Sequence, residues 1–185
     1  MSYLSVKDLI RKGFRRVGEN AMISDKASFY GAKNITIGDN VRIDDFCILS
    51  ASEEIIIGNW VHIACYTSLI GAGLIMLKDF SGVSMRCSIL SSNADYSGEF
   101  LTNPQILGKY LNTFSAPVIL EKHALIGAGC TVLPGVSIGE GAIIGAMSLL
   151  KQSVKEYEMW AGVPAKYIGN RKRELRNLEK QLSHG

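Results

Sequence analysis

The sequence predicts an all-β chain wound as a parallel β-helix, and three observations carry that expectation. Bulky apolar residues stand six apart at Leu120, Ile126, Val132, Ile138, Ile144 and Leu150. The fifth place of each hexad is compact, reading Ala124, Cys130, Val136, Ala142, Ser148 and Val154. Upstream the same beat recurs as triplets every twenty residues: Ile37, Ile43 and Leu49, then Ile57, Ile63 and Leu69, then Leu77, Val83 and Ile89. Helices repeat at about 3.6 residues and strands at 2, so a period of six belongs to a three-sided coil in which each face takes one hexad. One coil cannot bury its apolar column alone, and stacking roughly five to six of them makes a continuous core.

The elements follow in order. Residues 1–19 read as an N-terminal helix and cap, with Leu9, Ile10, Phe14 and Val17 set against Lys7, Arg11, Arg15 and Arg16 over Ser5 to Val17. Such a face closes the open end of a coil stack, and a basic amphipathic helix also suits a weak membrane-surface contact. Residues 20–155 carry the coils. Three hexads make eighteen residues, so the twenty-residue intervals imply two extra residues at one corner of each early coil. Between 91 and 117 the beat stops for an extended loop. Residues 156–185 form a C-terminal turn and a second helix from Arg171 to Leu182, with Leu175, Leu178 and Leu182 on one face.

Composition bounds the rest. At 185 residues, with 47% apolar and 20% charged side chains, the chain suits one domain with a real core. A net charge of +3 without clustered Lys, Arg and aromatic residues argues against nucleic acid as a partner. Cys47, Cys87 and Cys130 fall on the compact fifth place and read as core thiols, while Cys65 lies off it and makes no CxxC pair. Reduced thiols, no signal peptide and no apolar run near 18 residues point to the cytoplasm, with no transmembrane segment.

The loop opens Ser91-Ser92-Asn93-Ala94-Asp95-Tyr96-Ser97-Gly98-Glu99, a polar cluster without histidine. Long loops in compact repeat folds tend to be functional and to lie on the binding face. Taken with the hexads and the closing Ala161-Gly162-Val163-Pro164-Ala165-Lys166, it makes residues 20 to 170 resemble the left-handed β-helix hexapeptide acyltransferases, in particular the sugar acetyltransferase branch. The handedness comes from that resemblance.

The resemblance implies a homotrimer with clefts between subunits and acetyl-CoA, or another acyl-CoA, as cosubstrate. Gly127, Ala128 and Ala146 would lie along the pantetheine arm, with Pro164, Lys166 and Arg171 near the adenine and phosphate end. Acyl transfer from a thioester needs a placed nucleophile, a route for its proton and a donor to the oxyanion. The family's usual histidine base at the start of the loop falls here on Ala94. An amine nucleophile tolerates that loss better than a hydroxyl, because it attacks once unprotonated and sheds its proton afterwards. Asp95 can then orient the amine, and Ser84 can hold the substrate or the thioester oxygen. This is similar to the subgroup that acylates amino groups on nucleotide-linked dideoxysugars, and it implies N-acetylation of a dTDP-4-amino-4,6-dideoxyhexose for surface glycan synthesis.

Asn93, Tyr96 and Tyr66 are candidate substrate contacts, with Tyr110 a further aromatic platform. His62 is the rival base, which would favour sugar O-acetylation instead; a non-catalytic hexapeptide scaffold is the other alternative. His123 reads as interface structure close to the cleft. A γ-carbonic-anhydrase-type zinc site needs three converging imidazoles, and only His62 and His123 stand outside the tail that holds His184, so no metal is expected.

Overall fold

Three parallel faces, described for residues 2–182 in a computed structural model, enclose one apolar column. Every bulky hexad position named from the sequence is inward and at most 1% exposed. The first face stacks Arg16–Val17, Ile35–Ile37, Ile55–Ile57, Ile75–Leu77, Val118–Leu120 and Ser137–Ile138. The second stacks Met22–Ile23, Arg42–Ile43, His62–Ile63, Gly82–Val83, Leu125–Ile126, Ile143–Ile144 and Glu158–Gly162. The third stacks Ser28–Tyr30, Ile48–Ala51, Ser68–Gly71, Ser88–Leu90, Thr131–Val132 and Leu149–Leu150. Amides climb from coil to coil, as in Gly38 N to Ile57 O at 2.8 Å and Gly58 N to Leu77 O at 2.7 Å. The stack therefore reaches beyond residues 20–155 at both ends.

The corners explain the six-residue period. At the fourth place of a hexad the backbone enters the left-handed region, at Asn40, Phe46, Trp60, Tyr66, Phe80, Arg86, His123 and Met147, and at Gly129, Gly135 and Gly141. One such residue turns the chain onto the next face. The two extra residues of the early coils sit where the third face returns to the first, between Leu49 and Ile57 and again between Leu69 and Leu77. The 91–117 segment grows from that same corner. It projects as an antiparallel hairpin of Ser92–Ala94 with Thr113–Ser115. Its neck is closed by Ala116 N to Ser91 O at 3.0 Å, and the stack resumes with Ile75 opposite Val118.

Both terminal helices are shorter than the sequence suggests. The first, α1, is Val6–Lys12, started by a Ser5/Asp8 capping box and stopped by Gly13 at φ 72°. Val17 is no part of it, because pairing with Ile37 in the first face satisfies its backbone better than another helical turn. The second, α2, is Leu175–Leu182. Arg171 precedes it, since Ala165–Asn170 turns back antiparallel on Glu158–Gly162 and extends the second face. Leu178 and Leu182 stay exposed, and polar contacts dock α2: Glu179 pairs with Lys122 at 2.5 Å and hydrogen-bonds His123 at 2.9 Å, and Arg176 pairs with Glu140 at 2.8 Å. His184 lies outside the described residues.

Ile63→Ala should cost about 3 kcal/mol, because the stacked coils on either side cannot close over the gap. Chemical denaturation of the variant beside the parent protein measures it.

Candidate active site

On the second face a glycine interrupts the column of outward side chains, and the interruption makes a groove. Along this column Arg42, His62, Gly82 and Leu125 stand in register. Gly82 leaves a dent between an imidazole and a leucine; a Cβ there would meet the Leu125 Cδ1 at 3.0 Å. The resulting groove holds about 440 Å³. One wall is the corner ladder of Trp60, Phe80 and His123, with ring centroids 6.1 Å apart at 3° and then 5.1 Å apart at 24°. The opposite wall includes Ala64, Ser84 and Met85, and Arg171 and Leu175 close the far side.

His62 and Ser84 are brought together in this groove. His62 Nε2 lies 2.9 Å from Asp44 Oδ2, and Asp44, 6% exposed, also accepts from Arg42 Nε at 2.7 Å. A carboxylate only accepts, so the neutral ring must carry its proton on Nε2 and leave Nδ1 with a lone pair. Ser84 is fixed by its amide to Ile126 O at 2.9 Å, and its hydroxyl makes no hydrogen bond among the described residues. One coil further on, Gly127 continues the Ser84 column. The strip is narrow by necessity, since a Cβ on Gly127 would come 2.6 Å from Ala146 N. Ser84, Gly127, Ala128 and Ala146 thus follow one corner of the prism.

Arg171 lies apart from that strip. Its guanidinium donates to the carbonyls of Gly141 at 3.2 Å and His123 at 3.3 Å, and its amide to Tyr157 O at 2.7 Å, which ties the C-terminal segment across the groove. Pro164 and Lys166 sit on the terminal hairpin, where Lys166 is exposed and pairs with Ala161. Asn93, Asp95 and Tyr96 ride on the projecting arm, outside the groove of their own chain.

Asp95 is held rigidly there. It accepts from the Ser97 amide and from Asn112 Nδ2, each at 2.7 Å. Hydrogen bonds from the Ser97 hydroxyl and amide, then from Asn112, keep its carboxyl below the usual aspartate range, so it is anionic at neutral pH. Asn93 Nδ2 is turned onto Ala94 O at 2.9 Å, and Tyr96 is 84% exposed. Tyr66 stacks on Phe46 at 5.0 Å on the neighbouring corner, and Tyr110 lies under Lys109.

Asp44, Trp60 and Phe80 line or support the groove without having been singled out in the sequence, and Leu175, read there only as part of a helix face, joins them. Trp60 and Phe80 had a signal, since both hold the fourth place of a hexad, twenty residues apart. Asp44 had only its position eighteen residues before His62, one coil below.

Residues 117–152 match the family model described as bacterial transferase hexapeptide (six repeats). The dTDP-4-amino-4,6-dideoxy-D-glucose acyltransferase of Escherichia coli is 48% identical over 180 residues, spanning 97% of this chain and 94% of that protein. The chain belongs to the hexapeptide-repeat acyltransferases. The fold of AntD, an N-acyltransferase from Bacillus cereus, superposes with a TM-score of 0.95 at 43% identity, covering 99% of this chain and 97% of that one, in a complex with dTDP and 3-hydroxybutyryl-CoA. A serine-to-cysteine variant of AntD, with dTDP-4-amino-4,6-dideoxyglucose and coenzyme A, gives 0.95 at 42% with the same coverage.

The family member described here keeps its groove wall in place through α2. Lys122, through its hydrogen bond, lowers the Glu179 pKa, and Arg176 lowers that of Glu140. Both folded values lie below 4.5, so the stability they bring is complete above that pH and is lost as the pH falls through the lowered values. Hydrogen exchange across Leu175–Leu182 should accelerate in that acid window before the coils respond, and Glu179→Gln should show faster exchange at neutral pH.

Proposed function

We propose that this acyltransferase moves an acyl group from acyl-CoA to the 4-amino group of a dTDP-linked 4-amino-4,6-dideoxyglucose, serving surface glycan synthesis as a cytoplasmic homotrimer. The observation that carries it is the 48% identity to the Escherichia coli acyltransferase across 97% of the chain. An identity that runs over the arm as well as the coils leaves little room for a non-catalytic scaffold. Among the described residues no helix is long and apolar enough to cross a membrane.

The chemistry fits the residues. A sugar ammonium is attracted by the Asp95 carboxylate, which Ser97 and Asn112 hold in place as an anion. Once the amine is unprotonated, its nitrogen attacks the thioester carbon and a new C–N bond forms. The Ser84 hydroxyl, free to donate, sits on the strip that leads along Gly127 to Ala146 and can meet the developing oxyanion. The C–S bond then breaks, and the departing thiolate takes the proton that the nitrogen sheds. Because the arm lies outside its own groove, a neighbouring subunit in the trimer supplies the complementary wall.

One observation favours a second reading. Asp44 fixes His62 with Nδ1 bare, the form a base for a hydroxyl nucleophile needs, which would suit sugar O-acetylation. Incubating acyl-CoA with dTDP-4-amino-4,6-dideoxyglucose or with maltose, and following free thiol, separates the two. Thiol release with the aminosugar alone is expected. Asp95→Asn should lower kcat/KM for the aminosugar by about ten- to a hundredfold, the worth of one charged hydrogen bond, with the assembly unchanged. His62→Ala should stay within about tenfold of the parent, because loss of a general base would cost a hundredfold or more. Sedimentation velocity checks the trimer.

A further inference from the structure

The N-terminal helix presents apolar side chains in the wrong direction for a simple cap. Leu9 and Phe14 turn inward and pack on the core column, as a cap requires. Val6 and Ile10, one turn apart and beside Leu9 on α1, are nevertheless 74% and 76% exposed. Residues four apart on a helix form one column, so these two make a continuous apolar ridge, and Lys7 and Arg11 form the exposed column beside it. Val6 and Ile10 form one wall of a shallow groove that Leu9, Phe14, Arg15, Arg16 and Val17 also line.

The helix is held in this attitude. Leu4 N donates to Ile23 O at 2.8 Å, Arg15 N to Ile35 O at 3.0 Å, and Tyr3 bridges Ser24. Charge gathers at the same end. Residues 1–20 hold five cations, Lys7, Arg11, Lys12, Arg15 and Arg16, against Asp8 and Glu19, an excess equal to the +3 of the whole chain. Asp8 is occupied by the capping box and by Arg11 at 2.9 Å, Arg15 pairs with Glu54, and Arg16 lies 3.8 Å from Asp39, while among the described residues Lys7 and Lys12 have no carboxylate within salt-bridge distance.

An apolar ridge flanked by cations and fixed at the terminal surface of a rigid prism suits a partner that is apolar inside and anionic outside. We propose that the N-terminal end of the stack docks on an anionic phospholipid surface, with Val6 and Ile10 entering the headgroup boundary and Lys7, Arg11 and Lys12 meeting lipid phosphates. The contact is reversible and weak for one helix, and it brings the enzyme to a membrane without spanning it. It concerns a surface remote from the groove, so it stands independently of the substrate.

Flotation of the intact protein with vesicles tests it. Binding is expected to phosphatidylcholine vesicles containing phosphatidylglycerol, to fall steeply with added salt, and to be absent from pure phosphatidylcholine. Ile10→Asp, and separately Lys7→Glu with Arg11→Glu, should lower the bound fraction by about tenfold while thiol release from acyl-CoA with a soluble aminosugar stays at the parental rate. Parental protein that fails to float with anionic vesicles, or variants that bind as the parent does, would overturn the proposal. So would Ile10→Asp protein that elutes as a smaller species in size exclusion, an outcome that assigns the ridge to a contact between copies of the chain.

Discussion

The fourth place of most hexads on the first two faces bears the construction, because there the chain turns a corner with a residue in the left-handed region. For a residue with a side chain that conformation costs on the order of 1 kcal/mol or more, and the molecule accepts it at Asn20, Asn40, Phe46, Trp60, Tyr66, Phe80, Arg86, His123, Met147 and Tyr157. Two returns offset the cost. The turns send the next amide into the ladder of bonds between coils, and several throw an aromatic side chain onto the one above it. Trp60 over Phe80 over His123, and Phe46 over Tyr66, are those stacks. The strain that closes the prism also builds the groove wall.

Because every coil contacts only its neighbours, the scaffold tolerates change at one corner without disturbing its core. The arm exploits this. It leaves at Ser91 and returns at Ala116 with the neck hydrogen-bonded shut, so Ile75 still meets Val118 across the interruption. A rigid face with a dent at Gly82 and a separate hairpin with a fixed carboxylate at Asp95 stand apart within the chain. The same independence leaves the N-terminal end free to carry a different surface chemistry from the middle.

Much of this was legible in the residues. Hexad places one and five are bulky and compact for the same steric reason everywhere along the axis, so Leu120 or Cys130 could be assigned inward from spacing alone. The family could be read too, because the arm and the Gly162-Val163-Pro164-Ala165 ending interrupt the period where the family interrupts it. The helix limits were harder. Leu9 to Val17 has helical periodicity, but Gly13 stops the helix and a strand partner at Ile37 claims Val17, and that partner lies twenty residues away. Arg171 reads in the sequence only as a charge for a phosphate, and the fold shows that its guanidinium also donates to two carbonyls.

By itself, then, the order of residues determined the period, the inward column and the place of the arm, since each depends on spacing within a single coil or on residue type. Tertiary structure alone decided that Asp44 reaches His62, that Trp60, Phe80 and His123 form one wall, that α2 is held by Glu179 and Arg176, and that Asp95 stands away from its own groove. These depend on which coil lies over which and on how far the arm projects. Contacts between coils are set by stacking geometry across eighteen to twenty residues or more, and no local pattern encodes them.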